Sequence, residues 1–262
     1  HKMGIHGNAT CVMNMDAARG WLIGEPHKGL AAMFVMMNSA RLGVGMQSLG
    51  LAETALQNAT AYAKDRLQGR SLTGIKNPDK AADSILVHPD VRRMLLTSRA
   101  YTEAGRALTT WIALLLDQEE SGLDAEIKKH SEDVVSLLTP VVKAFITDHA
   151  FETTNLCLQV FGGHGYIREW GVEQYVRDAR ITMIYEGTNG VQAMDLVGRK
   201  LAQNGGRAVQ ALFKIVDDEC AAAKTGPLAD FAERLEKANG ELKAATMWFM
   251  ANGLANPNNA GA

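Results

Sequence analysis

The chain has 262 residues, 47% of them hydrophobic, which is enough to bury the core of one large or two small globular domains. Its 27 basic and 29 acidic residues nearly balance without a long run of either sign, so the charge pattern does not indicate a nucleic-acid-binding surface. The three cysteines are far apart in the sequence and suit neither a disulfide framework nor a metal site. We expect free thiols in a reducing compartment.

The sequence shows no pattern of a signal peptide or a membrane span. It starts at His1 without a basic or apolar leader, and we expect an internal fragment of a longer chain. No uninterrupted apolar stretch reaches about 18 residues, so no membrane-spanning helix is predicted.

Residues 1–24 contain four glycines and two asparagines and predict the end of a β region. Residues 10–13 alternate in polarity, residues 21–23 are apolar, and turn-forming residues separate the two stretches, which indicates one β-hairpin. Because two strands cannot hold a sheet alone, we expect the rest of this domain to lie outside the chain.

A long helical pattern then runs from Gly29 to about Arg66 and is apolar on most sides, which places it inside a helical bundle. A loop over residues 70–87 follows. The next helix is predicted to start at His88-Pro89-Asp90, with proline in the first turn and aspartate at the positive end of the helix dipole. This helix is expected to continue to about residue 120.

Further helical patterns follow the polar break at residues 119–124. The first of them should bend near Pro140. The predicted segments cover about residues 131–161, 172–181, 191–201, 207–223 and 228–251. Residues 255–262, rich in Asn, Ala and Gly, are expected to be loose.

The stretch most suggestive of chemistry is QVFGGHGYIREWGVEQYVRDARITMIYEGTNGVQ, residues 159–192. A glycine pair, Gly162 and Gly163, follows an apolar helix, and a lone glutamate, Glu186, sits in the turn sequence Ile-Tyr-Glu-Gly-Thr. Taken alone, such a glutamate is usually an exposed turn residue and such a glycine pair usually ends a helix.

The order of QVFGGHGY and VRDARITMIYEGTNGVQ resembles the C-terminal helical domain of acyl-CoA dehydrogenases. Earlier landmarks agree: LIGE at residues 22–25, AR at residues 40–41 and YAKDR at residues 62–66. The resemblance covers about residues 1–203 and implies an all-α, up-and-down helical bundle over residues 29–203. A hairpin remnant of the family's middle β domain would precede it at residues 1–28. Residues 204–262 are similar to the appended helices of large bacterial-type members, here truncated.

The resemblance implies an FAD-dependent enzyme that removes the α-proton of an acyl-CoA thioester while the β-hydrogen passes as hydride to FAD. Glu186 would be the base, and a carboxylate in an apolar pocket that closes over its ligand suits this task. The backbone N–H of Glu186 would polarise the thioester oxygen. Some members carry the base on the first long helix, but residues 29–52 contain no Asp or Glu.

The resemblance also implies residues that hold FAD, much of which a neighbouring subunit would bind. Arg66 matches an arginine that pairs with the pyrophosphate, and the glycine pair lets backbone amides approach the ligand. The full set is Arg66, Gln68, His88, Gln159, Val160, Phe161, Gly162, Gly163, Gly187, Thr188 and Asn189. Relatives have a glutamine where this chain has Gly190, and Gln192 cannot be assumed to replace it.

Two residues of the first long helix match the substrate side of the family's site. Arg41 lies near the expected position of the CoA arm, and Asn38 replaces an aspartate that is common in relatives. Nearby methionines could line an acyl pocket, although methionines at helical spacing more often belong to the core.

The resemblance implies an acyl-CoA substrate, an electron-transferring flavoprotein as electron acceptor, and a homodimer or homotetramer. The expected location is the bacterial cytoplasm, with the mitochondrial matrix as the alternative. An acyl-CoA oxidase that uses oxygen and a non-catalytic helical binding domain are the competing hypotheses. The isolated chain is expected to be inactive because the rest of the site lies in other domains.

Overall fold

The computed structural model describes residues 1–121, 124–253, 255–256 and 258–259. The helical class predicted from the sequence is confirmed over these residues. The helices are α1 Gly29–Asp65, α2 Pro89–Glu120, α3 Ala125–Phe161, α4 Gly163–Tyr166, α5 Val172–Arg180, α6 Asn189–Asp195, α7 Arg207–Ala223 and α8 Ala229–Asn252. Half of the tail that was predicted to be loose, namely residue 257 and residues 260–262, lies outside the described residues.

The ends of the long helices follow from local sequence signals. α2 starts at Pro89, with Asp90 in its first turn, as predicted. α3 starts at Ala125, earlier than predicted, because the Asp124 carboxylate accepts the backbone N–H of Glu126 at 2.7 Å and caps the helix. Pro140 lies inside α3 without ending it.

The predicted β-hairpin is not formed. Residues 1–28 contain no strand, and in the described part of the chain the β pairing is an isolated bridge between Leu67 and Ser84. Val12, Trp21 and Ile23 are 95%, 85% and 96% exposed. Two short strands have no sheet or core to pack against in this chain, so their apolar side chains gain nothing from pairing.

The chain divides into two compact units, of which the first comprises His1–Ala107 and Lys143–Glu186. Alanines at one-turn spacing on α1, namely Ala55, Ala59 and Ala63, let neighbouring elements approach closely. The core around these alanines also contains Ile85, Met94, Leu95, Cys157, Val160, Phe161 and Val172.

The amino-terminal segment of the first unit is tied to α5. The Asp178 carboxylate accepts the backbone N–H of Ile5 at 2.6 Å, and the Arg177 guanidinium donates to the carbonyl of Met3 at 2.9 Å. Gly4 lies so close to α5 that an added Cβ would stand 2.6 Å from the carbonyl oxygen of Arg177. The Arg-Asp pair of the sequence motif thus holds the chain that leads towards α1.

The second unit comprises Leu108–Val142 and Gly187–Ala262. Its core contains Leu137, Leu201, Ala208, Val209 and Phe213. The polar contacts in this unit include a hydrogen bond of 2.9 Å from the buried Asn239 of α8 to the Asp217 carboxylate of α7. The appended segments after residue 204 therefore form the two packed helices that their amphipathic pattern predicted.

By length and composition, α1 and α3 could each cross a membrane. Of the most apolar 18-residue stretch of α3, 61% is buried inside the protein. For the corresponding stretch of α1, the buried share is 17%. The buried share of α3 is that of a core helix, and one or two helices of this kind are weak evidence for a membrane span.

Candidate functional site

Glu186 lies at the end of a tight turn in the first unit. A short 3-10 helix, Ile181–Met183, is continued by hydrogen bonds from the N–H groups of Ile184 and Tyr185 to the carbonyl of Ile181, at 2.8 and 3.0 Å. Glu186 then adopts a φ of 55°, in the left-handed region that side chains other than glycine rarely occupy. Holding a glutamate in this conformation costs about 1–2 kcal/mol, so the surrounding structure must supply the constraint.

Hydrogen bonds from two side chains, Thr182 and Tyr185, anchor this turn. Thr182 is fully buried, and its hydroxyl donates to the carbonyl of Ala179 at 2.7 Å. The hydroxyl of Tyr185 donates to the side-chain oxygen of Gln47 on α1. Burial is the main cause that raises the pKa of Tyr185, and the Gln47 bond opposes the rise. The phenol therefore stays protonated and able to donate at neutral pH.

Two buried cations belong to the same region of the first unit. Lys143 of α3 is 0% exposed and Arg41 of α1 is 5% exposed. The pKa of Lys143 is lowered to about 8, mainly by burial; Arg41 adds to the lowering, whereas Asp148 and Glu186 oppose it. Glu186 thus interacts electrostatically with a buried lysine that the sequence analysis did not single out. Its only sequence signal was a lysine within the apolar run Val-Val-Lys-Ala-Phe.

The predicted substrate-side residues are both on α1 but in different surroundings. Arg41 is buried and interacts electrostatically with Lys143, whereas Asn38, one turn earlier, is exposed. The structure therefore places Arg41 where it interacts electrostatically with Lys143, which also interacts with Glu186, whereas Asn38 is exposed.

Arg66, Gln68 and His88 are brought together by two paired segments that connect α1 to α2. The N–H of Gln68 donates to the carbonyl of Asp83 at 2.9 Å, and the N–H of Ile85 donates to the carbonyl of Arg66 at 2.9 Å. The His88 imidazole N–H donates to the carbonyl of Gln68 at 2.8 Å. These three predicted cofactor residues therefore form one local group.

The segment from Gln159 to Gly163 ends α3 and presents mainly backbone. The N–H of Gly162 donates to the carbonyl of Gln159 at 2.9 Å, and the φ of Gly162 is 60°. A Cβ added to either Gly162 or Gly163 would meet nothing within 4 Å, so this backbone is open to a ligand. Val160 packs into the core, which leaves its backbone as the part available for a contact.

A groove of about 540 Å³ connects Arg66 with Phe161 and is lined by further aromatic side chains. Tyr62 stacks on Phe161 with ring centroids 4.2 Å apart, and its hydroxyl is 2.9 Å from Nδ1 of His164. His164 in turn stacks on Trp170 at 4.6 Å. A guanidinium beside aromatic faces suits a phosphate-bearing aromatic ligand. Neither His164 nor Trp170 was predicted as a site residue.

A larger groove, of about 800 Å³, is bordered by α1 and the first half of α2. Leu56, Leu95 and Arg99 are among its lining residues. None of the predicted site residues lines it, so cavity size alone does not mark the candidate site.

The remaining predicted residues, Gly187, Thr188 and Asn189, belong to the second unit. The Thr188 hydroxyl accepts the N–H of Val191 at 3.3 Å and caps α6. Gln192 is fully buried, and its amide donates to the carbonyl of Gly187 at 3.1 Å. The Gln192 side chain is therefore engaged with its own turn.

Comparison with known proteins identifies the family. The family model described as acyl-CoA dehydrogenase, C-terminal domain, matches residues 27–201. The chain therefore belongs to the acyl-CoA dehydrogenase family.

The chain is 42% identical to the 3-methylmercaptopropionyl-CoA dehydrogenase of Ruegeria pomeroyi over 99% of its own length and 44% of that protein. It is 38% identical to the broad-specificity linear acyl-CoA dehydrogenase FadE5 of Mycobacterium tuberculosis, over 80% of this chain and 35% of that one. The chain thus spans less than half the length of these relatives.

A similar fold is found in the crystal structure of Caenorhabditis elegans ACDH-11 in complex with C11-CoA. The TM-score is 0.76 at 23% identity, covering 89% of this chain and 37% of that one. At this identity the likeness concerns the fold alone.

Proposed function

We propose that this chain supplies the catalytic base and part of the flavin site of an FAD-dependent acyl-CoA dehydrogenase. The observation that carries the proposal is the placement of Glu186. It is a non-glycine residue in a left-handed turn that interacts electrostatically with the buried Lys143, and it lies inside the Tyr-Glu-Gly-Thr sequence of a family member. A strained carboxylate with buried partners is typical of a functional position rather than of a solvated turn.

In this proposal the Glu186 carboxylate accepts the α-proton of an acyl-CoA thioester, which breaks the α C–H bond and leaves the Glu186 side chain neutral. The backbone N–H of Glu186 donates to the thioester oxygen, where negative charge develops. The buried Lys143 interacts electrostatically with this carboxylate. Bound FAD would supply the acceptor for the β-hydride.

In this proposal the adenosine diphosphate part of FAD would lie at the 540 Å³ groove, whose lining includes Arg66 and Phe161. Arg66 offers a charged donor for the pyrophosphate, and the open backbone of Gly162 and Gly163 allows close approach of the ligand. Gln68, His88, Gln159, Val160 and Phe161 would complete this part of the site, with Gly187, Thr188 and Asn189 on the following segment. Asn38 and Arg41 would lie on the side of the CoA substrate.

We further infer the roles of the three regions from the family. Residues 1–28 would be the end of the middle β domain, residues 29–203 the up-and-down bundle, and residues 204–262 appended helices. Electrons would leave to an electron-transferring flavoprotein, and the protein would act as a homodimer or homotetramer in the cytoplasm. Sedimentation of the full-length protein tests the oligomer.

The test is a Glu186→Gln variant of the full-length flavoprotein, with Glu169→Gln as a matched control at an exposed glutamate. We expect Glu186→Gln to keep its FAD but to lose flavin bleaching by acyl-CoA under anaerobic conditions, by at least about 10³-fold. The control should bleach at the rate of the unmodified protein. Unchanged bleaching in Glu186→Gln contradicts the assignment, and stoichiometric peroxide during aerobic turnover would identify an oxidase instead.

A further inference from the structure

The Glu186 turn is connected to α1 through a residue that the sequence analysis did not consider. The side-chain oxygen of Gln47 accepts the hydrogen bond of the Tyr185 hydroxyl, across 138 positions of sequence. Both residues belong to the first unit. Tyr185 directly precedes Glu186, so an anchor at the tip of its ring acts on the peptide that joins the two residues.

The anchor matters because the beginning and the end of the turn are held differently. The 3-10 hydrogen bonds to the carbonyl of Ile181 constrain the backbone up to the N–H of Tyr185. They do not reach the following peptide, whose rotation decides where the Glu186 N–H and carboxylate point. Glu186 also has a φ of 55°, a conformation that needs support from its surroundings.

We propose that Gln47 is a positioning residue for Glu186, holding the Tyr185 hydroxyl and thereby the orientation of the Glu186 carboxylate and N–H. The inference rests on the proposed function of Glu186 as the base. The peptide that Tyr185 anchors carries the N–H proposed to polarise the thioester, so one hydrogen bond serves both the base and the oxyanion donor. A misplaced base slows the chemical step more than it weakens binding of the substrate.

The experiment compares Gln47→Leu, Tyr185→Phe and the double variant in the full-length flavoprotein. Each single change should slow flavin reduction by acyl-CoA on the order of tenfold. FAD content, melting temperature and the dissociation constant of acyl-CoA should stay close to those of the unmodified protein. The double variant should be no slower than the slower single variant, because both changes remove the same hydrogen bond.

Gln57→Leu is the matched control, since Gln57 is also exposed on α1 and its amide donates to Glu53 at 2.6 Å, away from Tyr185. It should reduce flavin at the unmodified rate. A Gln47→Leu variant at full rate overturns the inference, as does a double variant whose losses multiply. A loss of rate accompanied by loss of FAD or of thermal stability indicates a merely structural role and also overturns it.

The Glu186→Gln variant separates this failure from failure of the proposed function. If Glu186→Gln does not reduce the flavin while Gln47→Leu reduces it at the unmodified rate, only the positioning role of Gln47 is contradicted. If acyl-CoA still bleaches the flavin of Glu186→Gln, both the assignment of Glu186 as the base and the positioning role of Gln47 are contradicted.

Discussion

Lys143 is fully buried on α3 and interacts electrostatically with the carboxylate of Glu186. A buried ammonium group is costly unless anionic groups compensate its charge. Asp148 and Glu186 provide that compensation only in part, because burial and Arg41 still bring the pKa of Lys143 down to about 8. The lysine therefore sits near the midpoint of its titration under mildly alkaline conditions.

Lys143 makes stability depend on pH in a defined window. Between pH 8 and 10.5 the unfolded chain keeps a proton on this lysine that the folded protein has released. The contribution of Lys143 to the free energy of unfolding therefore rises with pH across this window. We expect the urea midpoint of the unmodified protein to rise relative to that of Lys143→Met between pH 8 and about 10. Parallel curves for the two proteins would contradict the low pKa.

Asp83 should organise the loop between α1 and α2. It is fully buried, and its carboxylate accepts the backbone N–H groups of Ser71, Lys76 and Asn77 at 2.9, 3.0 and 2.7 Å. The bond from Ser71 is the largest cause that lowers the pKa of Asp83. The ionised carboxylate thus stabilises the fold above its ordinary pKa, and this stability is lost as the pH falls through the folded-state value.

We expect Asp83→Asn to lower the melting temperature at pH 7 and to differ less from the unmodified protein at low pH. Asp79→Asn, an exposed change in the same loop, is the control and should leave the melting temperature unchanged. Equal effects of the two variants at pH 7 would show that Asp83 has no special role.

Gly187 cannot accept a side chain without cost. Its φ is 85°, and an added Cβ would stand 2.6 Å from the amide nitrogen of Gln192. We expect Gly187→Ala to lower the free energy of unfolding by about 1–3 kcal/mol in chemical denaturation. Gly190→Ala is the control, because an added Cβ there meets only the Thr188 hydroxyl, at 3.9 Å, and alanine favours the helix by up to about 1 kcal/mol. A Gly187→Ala variant as stable as its control would contradict the steric argument.

Local signals in the sequence predicted most of the helical architecture. Pro89 with Asp90 marked the start of α2, and the amphipathic periods of α7 and α8 marked those helices within one or two residues. The hairpin prediction was wrong because alternating polar and apolar residues form a strand only when a neighbouring sheet or core is present to pack against. The capping aspartate before α3 was readable from the sequence but was overlooked.

The sequence by itself determined most of the helix ends, the family motifs and the candidate base, because each depends on residues that are neighbours along the chain. Only the tertiary structure decided which distant side chains surround that base. Lys143, Arg41 and Gln47 lie on two different helices, and helical periodicity does not say which of their polar residues will be buried or face the Glu186 turn. Burial and hydrogen bonding across large sequence separation depend on packing, and packing is set by all the elements together.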